Sequence, residues 1–106
     1  MTPRYSVRPE IAEDFRLAAA WLERESARVR FSEEVFRVFD FLARFPEAGT
    51  RLRSKQKRFQ AIRFLPLGRP FQNFLVFYQP TPKGPEMVRV IYGTQNWQQQ
   101  LEDLLP

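Results

Sequence analysis

The spacing of apolar residues along the first half of the chain predicts two amphipathic helices. The first apolar stripe recurs at intervals of four, three and four residues, and consists of Ile11, Phe15, Ala18 and Leu22. Pro9 fits the first position of this helix, which is predicted to run through about Glu25. The second helix is predicted to begin with an N-cap at Ser32 and to stop at Pro46. Its stripe consists of Val35, Val38, Leu42 and Phe45.

Beyond residue 58 the apolar period changes from that of a helix to that of a strand. Strands are predicted over residues 4–8, 59–65, 73–78 and 87–92, and a short terminal helix over residues 96–105. The order is strand, two helices, three strands and a short helix. Short connections favour an antiparallel meander whose one face is covered by the helical hairpin. The expected fold is therefore one α+β, two-layer domain that spans residues 1–106.

Composition excludes several kinds of chemistry. The chain has no cysteine, which leaves no disulfide framework and no thiolate metal site. It also has no histidine, which removes the usual general base, the usual zinc ligand and every Ser–His or Cys–His pair. We therefore expect neither a metal nor a cofactor. No apolar run approaches the roughly 18 residues that span a bilayer, and no signal-peptide pattern opens the sequence, so a cytoplasmic protein without membrane contact is expected.

Charge is distributed unevenly along the chain, whose net charge is +5. Residues 1–47 contain eight basic and nine acidic residues, whereas residues 48–106 contain nine basic and three acidic residues. No acidic residue lies between Ala48 and Pro85. The basic residues in that interval are Arg51, Arg53, Lys55, Lys57, Arg58, Arg63, Arg69 and Lys83. A field of one sign favours a nucleic acid or an acidic protein as partner, and the alternative is a solvated basic loop.

Four local patterns follow one another along the chain. They are Phe-Leu-Ala-Arg-Phe-Pro-Glu-Ala-Gly at residues 41–49, Ile-Arg-Phe at 62–64, Val-Phe-Tyr at 76–78 and Val-Arg-Val-Ile-Tyr-Gly at 88–93. Over residues 5–105 the chain resembles the ParE/RelE superfamily of bacterial type II toxin–antitoxin systems. The resemblance implies a RelE/ParE-like fold, in which an N-terminal strand and α-helical hairpin precede a three-stranded antiparallel meander and a short C-terminal helix. It also implies a cognate antitoxin that is small, acidic and partly disordered.

The two branches of the superfamily imply different activities. RelE-like members are ribosome-dependent mRNA endonucleases that use basic side chains and a C-terminal tyrosine. Leu75 and Gln95 stand where that branch places arginines, and no tyrosine follows Tyr92. ParE-like members poison DNA gyrase without cleaving anything themselves, and the resemblance to them is closer, although Gln95 and Asn96 replace their Arg-Asp pair. A growth-inhibiting, gyrase-binding toxin without enzymatic activity is favoured. A RelE-type ribonuclease acting at the ribosome and a degenerate, non-toxic member stay open.

Candidate site residues follow from these patterns. A ribonuclease would use Arg63, Arg89 and Tyr92. Target or nucleic-acid binding is assigned to Arg51, Arg53, Lys55, Lys57, Arg58, Arg63, Arg69 and Arg89. If the helices cover the Ile62 face of the sheet, alternation places Arg63 and Arg89 on the open face; the alternative for both is a structural ion pair. Antitoxin binding is assigned to aromatic residues on the helices, which are Trp21, Phe36, Phe39 and Phe41; packing in the core is their alternative.

Overall fold

The computed structural model describes residues 4–93, which form two helices and a five-stranded sheet. The elements in chain order are β1 (Ser6–Val7), α1 (Glu10–Trp21), α2 (Glu25–Arg44), β2 (Thr50–Arg51), a 3-10 turn (Lys57–Phe59), β3 (Arg63–Pro66), β4 (Phe74–Gln79) and β5 (Glu86–Tyr92). The strand order is β1-β5-β4-β3-β2; β1 runs parallel to β5 and all other pairs are antiparallel. The α+β fold with a helical hairpin and an antiparallel meander is confirmed. The helix predicted over residues 96–105 lies outside the described residues.

The helix boundaries differ from the predicted ones. The first helix ends before Leu22, and the second begins at Glu25, so that Ser32 lies within α2 and does not cap it. The apolar stripe of α2 extends back to Phe31, which is buried, and this burial favours the earlier start. Arg28 in the first turns of α2 donates from Nε to the carbonyl of Leu22 at 2.7 Å. This bond satisfies a carbonyl that the end of α1 leaves without a helical partner.

The strand boundaries were predicted well for the centre of the sheet and poorly for its edge. The predictions for residues 73–78 and 87–92 are confirmed to within one residue by β4 and β5. The prediction for residues 59–65 begins four residues too early, because the N–H of Ile62 bonds to the carbonyl of Phe59 at 3.1 Å in a turn. Strand β2 was not predicted, since two residues are too few for an alternating pattern.

The helices cover one face of the sheet and form the larger core. Buried side chains of α1 and α2 pack there on alternate residues of β4 and on β5, and the set includes Ile11, Phe31, Val35, Phe39, Val76, Tyr78, Met87 and Val90. The two helices contact each other through Phe15, whose ring lies 5.8 Å from that of Phe31 and 6.0 Å from that of Phe36. This core fixes the hairpin against the sheet, as the apolar stripes predict.

A second core lies on the sheet face that points away from the helices. Its buried members are Leu52, Phe59, Ile62, Leu75, Phe77 and Val88. Leu75 and Phe77 alternate along β4 with Val76 and Tyr78 of the helix-side core, so the two clusters occupy opposite faces. The chain between β2 and β3 folds over this face and supplies Leu52, Phe59 and Ile62 to it. The face that was expected to be open is therefore covered by residues 52–62, the chain between β2 and β3, which we call the basic segment.

Tyr78 joins β4 to the chain that follows α2. Its ring is fully buried, its hydroxyl donates to the carbonyl of Pro46 at 2.8 Å, and the same oxygen accepts the N–H of Gly49 at 2.9 Å. Burial raises the pKa of Tyr78, which keeps the hydroxyl protonated as a donor. A Cβ atom on residue 49 would lie 2.6 Å from this hydroxyl oxygen and 2.8 Å from the carbonyl of Phe64. Only glycine fits there.

We expect Gly49→Ala to destabilise the fold by about 2–4 kcal/mol, because overpacking a buried site costs roughly 1–3 kcal/mol and the displaced hydroxyl loses hydrogen bonds that are worth about 1 kcal/mol each. The free energy of unfolding in urea measures the effect. Equal stability of Gly49→Ala and the original chain would contradict the described packing.

Candidate functional site

The basic segment is anchored to the sheet through the second core. Leu52 and Phe59 are buried, and the N–H of Leu52 bonds to the carbonyl of Ile62 at 2.8 Å. The cations between these two anchors face solvent. A groove of about 770 Å³ runs along the segment, and its lining residues are Thr50, Arg51, Leu52, Arg53, Ser54, Lys55 and Gln60. The groove therefore brings together three of the predicted cations, Arg51, Arg53 and Lys55.

The other exposed cations extend this surface. Lys57, Arg58 and Arg69 are exposed, and the Arg58 guanidinium lies 4.5 Å from the centroid of the Phe59 ring. Arg69 belongs to the loop between β3 and β4. Within residues 4–93, none of the ion pairs involves a residue of the segment 51–58 or Arg69. We call Arg51, Arg53, Lys55, Lys57, Arg58 and Arg69 the basic surface.

Arg63 does not lie on an open sheet face. The helices cover the face opposite Ile62, and Arg63 pairs in register with Tyr78, whose ring belongs to the helix-side core. The Arg63 guanidinium donates from Nη1 to the carbonyl of Gly49 at 2.8 Å and to that of Glu47 at 3.2 Å. The expectation of an open face is wrong at this residue, because the side chain closes the turn between α2 and β2.

Arg89 is buried against α1, with 8% of its surface exposed. Its Nε donates to Asp14 Oδ2 at 2.9 Å and its Nη2 donates to Asp14 Oδ1, while the N–H of Val90 donates to Asp14 Oδ2 at 2.8 Å. The hydrogen bond to Asp14 raises the pKa of Arg89, so the guanidinium stays charged. The expectation that Arg89 lies on an open face is wrong, and the alternative of a structural ion pair is confirmed.

A bulge in β5 explains why alternation failed at Arg89. Phe77 of β4 is opposite Arg89 and Tyr78 is opposite Met87, which leaves Val88 as an extra residue. Val88 consequently belongs to the second core and Val90 to the helix-side core, although strict alternation puts them on the same face.

Tyr92 lies at the far end of the sheet from Arg63. Its ring stacks on Trp21 at a centroid distance of 5.7 Å and 41% of the residue is exposed. Tyr92 pairs with Phe74, whereas Arg63 pairs with Tyr78, four residues further along β4. At about 3.3 Å per residue the two positions are roughly 13 Å apart along the strand. The three residues assigned to a ribonuclease are thus separated, and two of them have structural partners.

The aromatic residues assigned to antitoxin binding divide into two groups. Trp21, Phe36 and Phe41 are 74%, 48% and 37% exposed. Phe39 is fully buried, packs edge-on to Tyr5 and Phe36, and is a core residue, so its assignment to a docking surface is wrong.

The exposed aromatics of α2 lie on different sides of that helix. Five residues separate Phe36 from Phe41, which at 3.6 residues per turn is a rotation of about 140°. A groove of about 630 Å³ contains Phe36 and is lined by Val29, Ser32, Glu33, Phe36, Arg37 and Asp40. A cleft of about 660 Å³ contains Phe41 and is lined by Phe41, Arg44, Phe45, Pro46, Glu47 and Ala48. A partner that touches both must wrap around the end of the hairpin.

Asp14 was missed among the candidate residues, although the sequence carries a signal for it. It lies three residues after Ile11 and four before Ala18, on the apolar stripe of α1. A carboxylate on a buried stripe needs a cationic or hydrogen-bonding partner inside the protein.

Over residues 4–93, no group of three or more acidic side chains has the arrangement of a metal site. In the same part of the chain, no helix is both long and apolar enough to cross a bilayer.

Comparison with known protein families gives a match over residues 5–97. The matching family is described as ParE toxin of type II toxin-antitoxin system, parDE. The matched range includes the helical hairpin, the basic segment and the whole sheet. The comparison with curated proteins gave no match.

We expect Asp14→Ala to destabilise the fold by about 3–5 kcal/mol, because it removes the carboxylate that accepts hydrogen bonds from Nε and Nη2 of the buried Arg89. Glu13→Ala on the same helix is the control: its ion pair with Arg16 is exposed and contributes at most about 1 kcal/mol. Urea unfolding of both variants measures the difference. Similar losses for the two variants would contradict a buried, structural role of Asp14.

Proposed function

The chain belongs to the ParE toxin family of type II toxin–antitoxin systems, and from this we propose that it arrests growth by binding a macromolecular target. The target that the family resemblance implies is DNA gyrase. Binding needs an accessible, complementary surface and no catalytic set, whereas cleavage of RNA needs several groups around one phosphate.

The separation of Arg63, Arg89 and Tyr92 supports binding over cleavage. A ribonuclease of this superfamily has to activate a 2′-hydroxyl and stabilise the charge on the phosphate with cations. Arg89 is buried on Asp14, and Arg63 donates to carbonyls beside α2. Tyr92 is accessible but lies roughly 13 Å from Arg63 along β4. No described arrangement lets these three side chains act on one phosphate.

The basic surface is the part of the toxin best suited to meet its target. Its six cations lie outside the ion pairs of residues 4–93, and the anchors Leu52 and Phe59 hold the segment in place. An uncompensated positive field accelerates association with an anionic partner and weakens as salt increases. Gyrase in complex with DNA offers such a partner.

The cognate antitoxin is proposed to wrap around the helical hairpin. Trp21, Phe36 and Phe41 are exposed on the two helices, and Phe36 and Phe41 lie about 140° apart around α2, so a flat surface does not cover both. A segment that folds on binding can cover an extended surface of this kind. Acidic residues of a small antitoxin are expected to neutralise exposed arginines of the toxin as well.

Induction of the toxin in a bacterial host is expected to stop DNA synthesis before protein synthesis and to raise the DNA-damage response. Tyr92→Phe should inhibit growth to the same extent, because the ring still stacks on Trp21 and only the hydroxyl is lost. Early collapse of translation with cut mRNA, abolished by Tyr92→Phe, would favour the ribonuclease. Unaffected growth would favour a degenerate toxin.

Phe36→Ala is expected to weaken antitoxin binding by about tenfold to a hundredfold, because a buried aromatic anchor contributes about 1–3 kcal/mol. Val7→Ala removes apolar surface from a similarly exposed residue on β1 and should change the affinity less than threefold. Titration calorimetry with the cognate antitoxin measures both. Equal effects of the two substitutions would contradict docking at the Phe36 groove.

A further inference from the structure

We propose that the groove along residues 50–55 binds the phosphodiester backbone of DNA directly, without reading its sequence. The inference rests on the proposed function, since it names a ligand for part of the basic surface through which the toxin is proposed to meet its target. It adds an activity of the isolated chain, which would bind DNA even when no target protein is present.

The groove carries the side chains that phosphate binding requires. Arg51, Arg53 and Lys55 line it and belong to none of the ion pairs of residues 4–93. Neutral hydrogen-bonding side chains lie among them, on Thr50, Ser54 and Gln60. Contacts to DNA phosphates come mostly from arginine and lysine, with serine, threonine and glutamine as the usual neutral partners.

The backbone that carries these cations is held in place before a ligand arrives. Strand β2 pairs Arg51 with Arg63 of β3, and the buried Leu52 anchors the next residue. The Gln60 amide donates to the carbonyl of Ser54 at 3.4 Å and closes the segment from the other side. A surface that is already ordered loses less conformational entropy on binding than a mobile loop does.

The shape of the cation series favours a nucleic-acid strand over an acidic protein. Arg51, Arg53 and Lys55 are alternate residues, and the four steps between the first and the last span at most roughly 14 Å. A strand of B-DNA carries one phosphate per 3.4 Å of axis, so several successive phosphates lie within that span. Protein interfaces are centred on apolar or aromatic anchors. Among the described residues that line this groove there is no aromatic side chain, and the aliphatic residue Leu52 is buried.

The test is a binding titration of the purified full-length chain with fluorescent duplex DNA and, separately, with single-stranded DNA. Three phosphate contacts predict that affinity for the duplex falls about 40-fold between 50 and 200 mM salt, and less steeply for the single strand. The site variant carries Arg51→Gln, Arg53→Gln and Lys55→Gln. It should lose at least tenfold in affinity at 50 mM salt and most of the salt dependence.

The matched control changes three exposed arginines of the helical part, Arg24→Gln, Arg30→Gln and Arg44→Gln. Each triple variant lowers the net charge of +5 by three, so the two differ only in where the charge is lost. Circular dichroism and the Tm verify that both are folded. Equal losses of affinity would overturn the proposal, because net charge alone would then explain binding. Equal affinity for polyglutamate and DNA would also overturn it and would favour an acidic protein as the ligand.

The proposal and the proposed function can fail separately. If the chain binds no DNA but induction still stops DNA synthesis first, the groove proposal is wrong and target binding stands. If the chain binds DNA through the groove and induction leaves DNA synthesis unaffected, the groove proposal stands and the gyrase-type function is wrong.

Discussion

The carboxylate of Asp14 accepts hydrogen bonds from two parts of β5, the guanidinium of Arg89 and the backbone N–H of Val90. Both partners are buried, and removing two charges from water costs several kcal/mol per ion unless the geometry is nearly ideal. The pair is therefore satisfied only when α1 lies on β5 in one register. Within residues 4–93, no buried polar side-chain atom lacks a hydrogen-bond partner, as such a core requires.

The position of α1 on β5 determines which faces of the sheet are covered. With α1 fixed across β5, the helical hairpin covers one face, and the basic segment packs on the other through Leu52, Phe59 and Ile62. A sheet covered on both faces has no open concave surface on which Arg63 and Arg89 could meet a substrate. The side chains that a partner can reach are instead the exposed cations of the basic surface and the exposed aromatic residues of the helical hairpin. These are the two surfaces through which we propose that the target and the antitoxin bind.

The periodic parts of the sequence predicted the fold, whereas the surroundings of individual candidate residues were predicted less well. Long stripes of apolar residues placed β4 and β5 to within one residue and predicted the end of α2, although not its start at Glu25, because burial on a regular element repeats with a fixed period. A single bulge in β5 shifted Arg89 from the expected open face into the core. Phe39 was wrongly assigned to the surface, although it lies four residues after Val35 and three before Leu42 and so belongs to the same apolar stripe of α2. The cations of the basic surface were predicted from the distribution of charge along the sequence, which requires no knowledge of the fold.

The structural role of Arg89 is tested most directly by measuring growth inhibition by a chain that carries both Asp14→Asn and Arg89→Gln. The new amides can still hydrogen-bond to each other and to Val90, but the Arg89 charge is gone. We expect circular dichroism to show a folded protein. Its inhibition of growth per folded molecule should be unchanged, because Arg89 holds α1 on the sheet and takes no part in a reaction. A folded double variant that no longer inhibits growth would contradict this structural role, since the guanidinium would then be required by the target or by a reaction.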